Sequence, residues 1–208
     1  MPSRRLLHVI YTRLYAHFGP QFWWPARTPF EVIVGAVLTQ NTNWANVEKA
    51  IGALKQKNMM RYGALSRAPE RVIAQAIRPS GYYRLKARRL KNVLAYMKRF
   101  YKGSISAMRA RDTSWMRREL LAVNGIGPET ADSILLYALQ KPSFVVDAYT
   151  KRVLARHHLI SPGAGYAQVQ GLFMKNLKTD VQLFNEYHAL IVRLAKVYCS
   201  KRNPSCGR

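Results

Sequence analysis

Residues 121–147 read LAVNGIGPETADSILLYALQKPSFVVD, and this stretch constrains the chain more than any other. Gly125-Ile126-Gly127 is a glycine-rich turn, Pro128 suits the first position of a helix, and Ala131, Ile134, Leu135 and Ala138 repeat at helical spacing. The turn therefore delivers free backbone N–H groups to a helix N-terminus. Such a terminus binds a phosphate without a side chain, because glycines permit close approach and the helix dipole favours an anion. Gly125, Gly127 and Thr130 are the candidate contacts here. Twenty residues past Gly127, Asp147 follows the apolar Phe144-Val145-Val146. A carboxylate in that company is either paired or in chemical use.

Charge supplies the partner. The chain has 34 Lys and Arg against 10 Asp and Glu, a formal net charge of +24, so a polyanion is its natural ligand. A merely soluble basic surface explains this less well, since so large a charge opposes compactness. A disordered basic tail is excluded, because 49% of the residues are hydrophobic and the basic residues lie between apolar ones. A length of 208 residues fits one large domain or two small ones with a real core. With Cys199 and Cys206 the only cysteines, no disulfide scaffold is expected and the chain reads as intracellular. The apolar stretch near Val32 to Leu38 is too short to span a bilayer, and the first residues lack the apolar core of a signal peptide. The expectation is a cytoplasmic, nucleoid-associated protein with no membrane partner.

Helical patterns occur almost everywhere, with no convincing alternating strand. Thr28-Pro29-Phe30-Glu31 reads as a capping box, followed by Phe30, Ile33, Val34, Val37 and Leu38 on one face. A second helix begins after Thr42-Asn43 and a third at Pro69. Arg84 to Tyr101 reads as amphipathic and strongly basic, with Lys86, Arg88, Arg89, Lys91, Lys98 and Arg99 between Leu90, Val93, Leu94 and Met97. Another helix over Trp115 to Ala122 leads into the glycine turn. Helices near Thr150 to His157, Ala167 to Leu177 and Phe184 to Tyr198 complete the pattern.

Helix, GIG hairpin, helix and a downstream VVDAYTKR closely resemble the helix-hairpin-helix (HhH-GPD) DNA glycosylases of the endonuclease III superfamily, over nearly all 208 residues. The stretches WWPARTPFEVIVGAVLTQNTNW and RPSGYYRLKARRL resemble the bacterial 3-methyladenine DNA glycosylase III branch of that superfamily. The resemblance implies an all-α, two-lobed fold. Residues 28–140 would form a six-helix barrel lobe carrying the hairpin, and residues 1–27 with 141–208 a terminal helical lobe, with duplex DNA across the cleft between them.

An enzyme that attacks a base must take it out of the stack, fill the gap, hold the extruded base and stabilise the sugar cation. By resemblance, Gln40 in TQNT and Tyr82 in SGYY match positions that push into the duplex. Trp23, Trp24 and Trp44 offer flat surfaces on which a base, especially a cationic alkylated purine, can stack; the alternative is ordinary packing. Asp147 is the catalytic candidate, since a carboxylate beside the anomeric carbon stabilises an oxocarbenium-like transition state and orients the attacking water. It also suits the N-cap of the next helix, and both roles are compatible. Its nearest acidic rivals in sequence are Glu129 and Asp132.

Two departures from the family pattern matter. Bifunctional relatives place a Schiff-base lysine just after the hairpin, where this chain has Glu129. A carboxylate forms no imine, so the chain reads as monofunctional, with Glu129 either contacting a cationic base or capping the helix dipole. Lys151 lies near Asp147 in sequence, but spacing does not place it at the sugar. Cys199 and Cys206 resemble the first two ligands of a four-cysteine iron–sulfur loop, and the third would fall just after Arg208. Two thiolates do not complete that site, so the chain as given requires no cofactor, while a longer parent would carry a 4Fe–4S cluster. Zinc is not expected, as no CxxC or HxxxH spacing occurs. His188, on an apolar helix, reads as structural.

The expected function is a monomeric, monofunctional base excision repair glycosylase that releases alkylated purines from duplex DNA containing a damaged base. The alternatives are an endonuclease III-like glycosylase and abasic-site lyase acting on oxidised pyrimidines, and a non-catalytic helix-hairpin-helix DNA-binding module.

Overall fold

The structure, a computed structural model, describes residues 4–206, and among these all regular secondary structure is helical. In chain order the helices are α1 (Arg4–Phe18), α2 (Pro29–Leu38), α3 (Trp44–Gln56), α4 (Tyr62–Arg67), α5 (Glu70–Ala76), α6 (Tyr83–Tyr101), α7 (Ile105–Arg109), α8 (Thr113–Ala122), α9 (Pro128–Ser133), α10 (Ala148–Arg156), α11 (Tyr166–Asn176) and α12 (Val181–Val197). A 3-10 turn at Arg78–Ser80 precedes α6, and a π turn at Ile134–Ala138 continues α9. The chain forms two compact units. One runs from Ala26 to Lys141; the other is built from both chain ends, up to Pro25 and from Pro142 onward.

The Ala26–Lys141 unit is organised around α2. Thr28 caps this helix, its Oγ1 accepting the Glu31 N–H at 3.1 Å, and Pro29 occupies the first position at no cost in hydrogen bonds. Burial extends beyond the expected stripe to Val32, Gly35 and Ala36, so α2 is enclosed on all sides, as an apolar helix must be in a core. The capping box closes differently from the sequence pattern. The Glu31 carboxylate accepts the Arg27 N–H at 3.4 Å, not that of Thr28, and pairs with Lys55 at 2.6 Å, which neutralises its charge in the interior.

α6 begins at Tyr83, one residue before the expected start, and buries Leu90, Val93, Leu94, Met97 and Tyr101 as its spacing requires. Lys86 departs from the expected basic face: it is buried, with 1% exposure. After α9 the ladder widens into the π turn, where the Leu139 N–H reaches Ile134 O at 3.0 Å and Arg109 Nη2 donates to Ala138 O at 3.0 Å. α4 and α7 are short elements that periodicity did not reveal.

In the chain-end unit, α1 and α10 pack against α12 around Leu7, Phe144, Phe173, Phe184 and Tyr187. The Phe144 and Phe173 rings stack at 3.8 Å, and the Tyr187 hydroxyl donates to Leu7 O at 2.8 Å, so this buried phenol keeps a partner. The sequence reading assigned no helix before Thr28, yet α1 supplies one wall of this core.

Candidate active site

The glycine turn is a helix-hairpin-helix, with α8 leading in and α9 leading out. Gly125 has φ +93°, and a Cβ there would lie 2.3 Å from Arg89 Cγ, so both backbone and packing require glycine. Gly127 is different: its φ is −91° and an added Cβ would meet nothing within 4 Å. Nothing inside the protein explains its missing side chain, and its exposed backbone is open to an outside group. Gly125→Ala is therefore expected to destabilise the protein by about 2–3 kcal/mol, from the left-handed conformation plus the clash. Gly127→Ala should unfold at the wild-type urea midpoint and instead weaken duplex binding; titration with undamaged duplex and urea unfolding separate the two effects.

The hairpin helices are joined by a buried ion pair. Arg117 Nε and Nη2 meet Asp132 Oδ1 and Oδ2 at 2.8 and 3.0 Å, and the Asp132 side chain is fully buried. Asp132, one of the acids near Asp147 in sequence, is thereby committed to architecture. Glu129 is exposed in the first turn of α9. Thr130 is buried, and its hydroxyl accepts a hydrogen bond from Gln40 Nε2 at 2.9 Å. The same amide donates to Gly125 O at 3.1 Å, and Gln40 Oε1 accepts from Arg89. Gln40, Gly125 and Thr130 are thus brought together, with the Gln40 amide holding the back of the turn.

Tyr82 stands apart from that network. It is 69% exposed, with φ 44°, a left-handed conformation uncommon for a bulky residue. It follows Gly81, whose φ is +68°. Trp44 begins α3 of the same unit and is half-buried.

Asp147 lies in the chain-end unit at the N-cap of α10, where Oδ1 accepts the Thr150 N–H at 2.7 Å. Its side chain is 14% exposed, and Oδ2 lies 3.5 Å from Nε2 of His188, itself 7% exposed on α12. Burial pushes the Asp147 pKa up, but the His188 imidazole and the bonds to Thr150 outweigh it and hold the carboxyl below the usual aspartate value. Spacing did not pair His188 with Asp147: Phe184, His188, Ile191 and Ala195 share one buried helical face, which shows the burial of His188 but not its partner. In the same unit Trp23 and Trp24 are adjacent half-buried rings, 5.3 Å apart at 47°. Lys196 places its ammonium 6.0 Å from the ring centroids of both Trp23 and Tyr149, two contacts that the sequence pattern did not disclose.

Cys199 is buried, Cys206 is exposed, and neither is in a disulfide. Arg156 donates to Cys199 Sγ at 3.3 Å and to Ser200 O at 2.6 Å, and Arg152 donates to Cys199 O at 2.8 Å. Among the described residues no group of three or more His, Cys, Asp or Glu side chains could hold a metal ion. Two thiols do not fit a four-thiolate cluster, and no chemical step is assigned to one.

Residues 34–179 match the family of HhH-GPD superfamily base excision DNA repair proteins. A protein of Methanocaldococcus jannaschii, provisionally named a DNA repair glycosylase, is 46% identical over 198 residues, covering 95% of this chain and 90% of its own. Endonuclease III of Thermotoga maritima is 28% identical over 178 residues, covering 86% of this chain and 78% of its own. Among solved structures, the H. pylori 3-methyladenine DNA glycosylase bound to 1,N6-ethenoadenine superposes with a TM-score of 0.79 at 27% identity, over 94% of this chain and 98% of that one. A trapped endonuclease III–DNA covalent intermediate superposes with a TM-score of 0.84 at 24% identity, over 99% and 92%, and shows the shared fold. The chain belongs to the HhH-GPD superfamily of base excision DNA repair proteins and is a DNA glycosylase of that family.

Proposed function

We propose that the chain is a monofunctional N-glycosylase that extrudes a damaged base, an alkylated purine, from duplex DNA and releases it by water attack assisted by Asp147. The observation that carries this reading is the setting of Asp147: a mostly buried carboxylate, kept ionised by its neighbours and fixed in place by the Thr150 N–H. As the N-glycosidic bond breaks, positive charge grows on the sugar, and a preorganised anion stabilises that charge without reorganising. The same carboxylate orients the incoming water and takes up its proton.

Water is taken as the nucleophile, because Lys86 and Lys151 both have their ammonium groups held by backbone carbonyls. Glu129 stands where bifunctional relatives carry the reactive lysine. Burial lowers the Lys86 pKa to about 8, but this ammonium is buried and hydrogen-bonded to two carbonyls. Lys151 donates to Ala164 O at 3.1 Å. The kinship with the H. pylori methyladenine enzyme, whose bound base is an alkylated purine, supports the substrate class. In this reading Trp23 and Trp24, in the unit that carries Asp147, offer stacking surfaces for the base. Tyr82 fills the duplex and Gln40 probes it by exchanging its bonds to Gly125 O and Thr130 for bonds to a base, while Gly125 and Gly127 take a phosphate on the hairpin backbone.

One observation favours a second reading. Lys196 is exposed and lies over Trp23, where it would repel a cationic base, donate to a neutral, carbonyl-rich one, and place an exposed amino group beside it. This suits a glycosylase and lyase acting on oxidised pyrimidines. Borohydride reduction during turnover decides between them. The monofunctional reading predicts base release with no protein–DNA adduct, whereas an adduct that disappears in Lys196→Ala would establish the second reading.

A further inference from the structure

We infer that Lys86 is a positioning residue for base extrusion, its buried ammonium tying together the two loops that carry Gln40 and Tyr82. Lys86 Nζ donates to Leu38 O at 2.8 Å and to Ser80 O at 2.6 Å. Leu38 is the last residue of α2 and Ser80 the last of the 3-10 turn, so both acceptors are helix-terminal carbonyls that lack an intrahelical donor. A cation between two such ends also complements both dipoles. Each acceptor lies two residues before a duplex-probing side chain, Gln40 in one loop and Tyr82 in the other.

The local backbone shows why the loops need a tie. Gly81 and Tyr82 have φ of +68° and 44°, and a bulky residue holds a left-handed conformation only when its surroundings enforce it. Lys86 grips this turn twice, through Nζ on Ser80 O and through its backbone N–H on Tyr82 O at 2.9 Å. On the other loop, Thr39 Oγ1 donates back to Gly35 O at 2.9 Å, and Lys86 holds Leu38 O beside it. Three residues along α6, Arg89 donates to Gln40 itself, so one face of α6 reaches both loops. A buried ammonium carries a desolvation penalty that an apolar side chain of similar length would avoid, and its depressed pKa records that penalty. Holding two loops in register is a role that an apolar side chain filling the same space would not perform.

The inference rests on Gln40 and Tyr82 entering the duplex, and its test reads insertion without requiring the correct lesion. The probe is a duplex with a tetrahydrofuran abasic analogue opposite 2-aminopurine, whose fluorescence changes when a side chain enters the gap. Wild type should give the change, and Tyr82→Ala and Gln40→Ala should lose it. Lys86→Met should lose it too, with duplex affinity within about twofold of wild type because phosphate contacts dominate binding. Duplex affinity is the control, because a general structural defect would weaken binding along with insertion, whereas loss of the tie removes insertion alone. A wild-type signal from Lys86→Met, alongside a lost signal in Tyr82→Ala, overturns the inference. An unchanged signal in both Tyr82→Ala and Gln40→Ala removes the reading beneath it, and the inference with it. If Lys86→Met does not fold, Lys86→Gln carries the test, since its shorter side chain keeps a polar head but cannot reach both carbonyls; a wild-type signal from it overturns the inference equally.

Discussion

Asp147→Asn is expected to slow single-turnover base release by about 10²–10³-fold, the usual cost of removing a preorganised electrostatic partner from a transition state. The substitution is close to isosteric. Asparagine caps a helix about as well as aspartate, so the bond from the Thr150 N–H survives and α10 should start where it does now. What disappears is the charge that the proposed mechanism sets against the sugar cation. Duplex affinity should hardly change, because this chain binds DNA mainly through its excess of basic side chains. The pH dependence carries the same signature. Burial raises the pKa of Asp147, while His188 and Thr150 lower it further, leaving it below the ordinary aspartate value of 3.8. A depressed carboxyl contributes stability that is fully present above its unfolded-state pKa and is lost as pH falls through the folded-state pKa. Asp147→Asn should therefore be the less stable protein at neutral pH and show a flatter acid limb, the two stability curves converging as pH falls from the ordinary aspartate range through the folded-state pKa. Thermal melts of both proteins across that range check this.

Asp132→Ala is expected to cost about 3 kcal/mol of stability, the lower end for breaking a buried ion pair, because the Arg117 side chain is 30% exposed and can turn toward water. The loss should spread beyond stability. Arg117 and Asp132 join α8 to α9, so the hairpin loosens and duplex affinity falls even though neither residue is assigned to DNA. Removing both charges, as in Arg117→Met with Asp132→Leu, should recover most of the stability, since the desolvation penalty disappears with the pair. Urea unfolding of the single and double variants measures this.

Much of the frame was legible because it depends on local chemistry. Thr28 before Pro29, Gly125 and Gly127 before Pro128, and Asp147 before Ala148 each mark a helix start by its cap, and each starts a helix in the structure. Side chains whose role depends on distant partners were harder to read. Lys86 was counted with the basic face of α6, yet it sits four residues before Leu90, on the same buried stripe as Val93 and Met97. Residue type outweighed position, and only Leu38 O and Ser80 O, far away in sequence, explain the burial. His188 was read as structural from its apolar helix and is buried, but its neighbour Asp147 lies on another element and leaves no trace in spacing. The Gln40 amide matched a duplex-entering position, while its bonds to Gly125 and Thr130 appear only in three dimensions. The π turn after α9 carries no sequence mark, because a wider hydrogen-bond ladder uses the same apolar residues as an α-helix.

The most direct test of Asp147-dependent, monofunctional release is a single-turnover incubation with duplexes carrying 1,N6-ethenoadenine, 3-methyladenine or thymine glycol, resolved with and without alkali. The account predicts strand cleavage at an alkylated purine only after alkali, slowed about 10²–10³-fold in Asp147→Asn. Cleavage at thymine glycol without alkali, or release at the wild-type rate without the carboxylate, would contradict it.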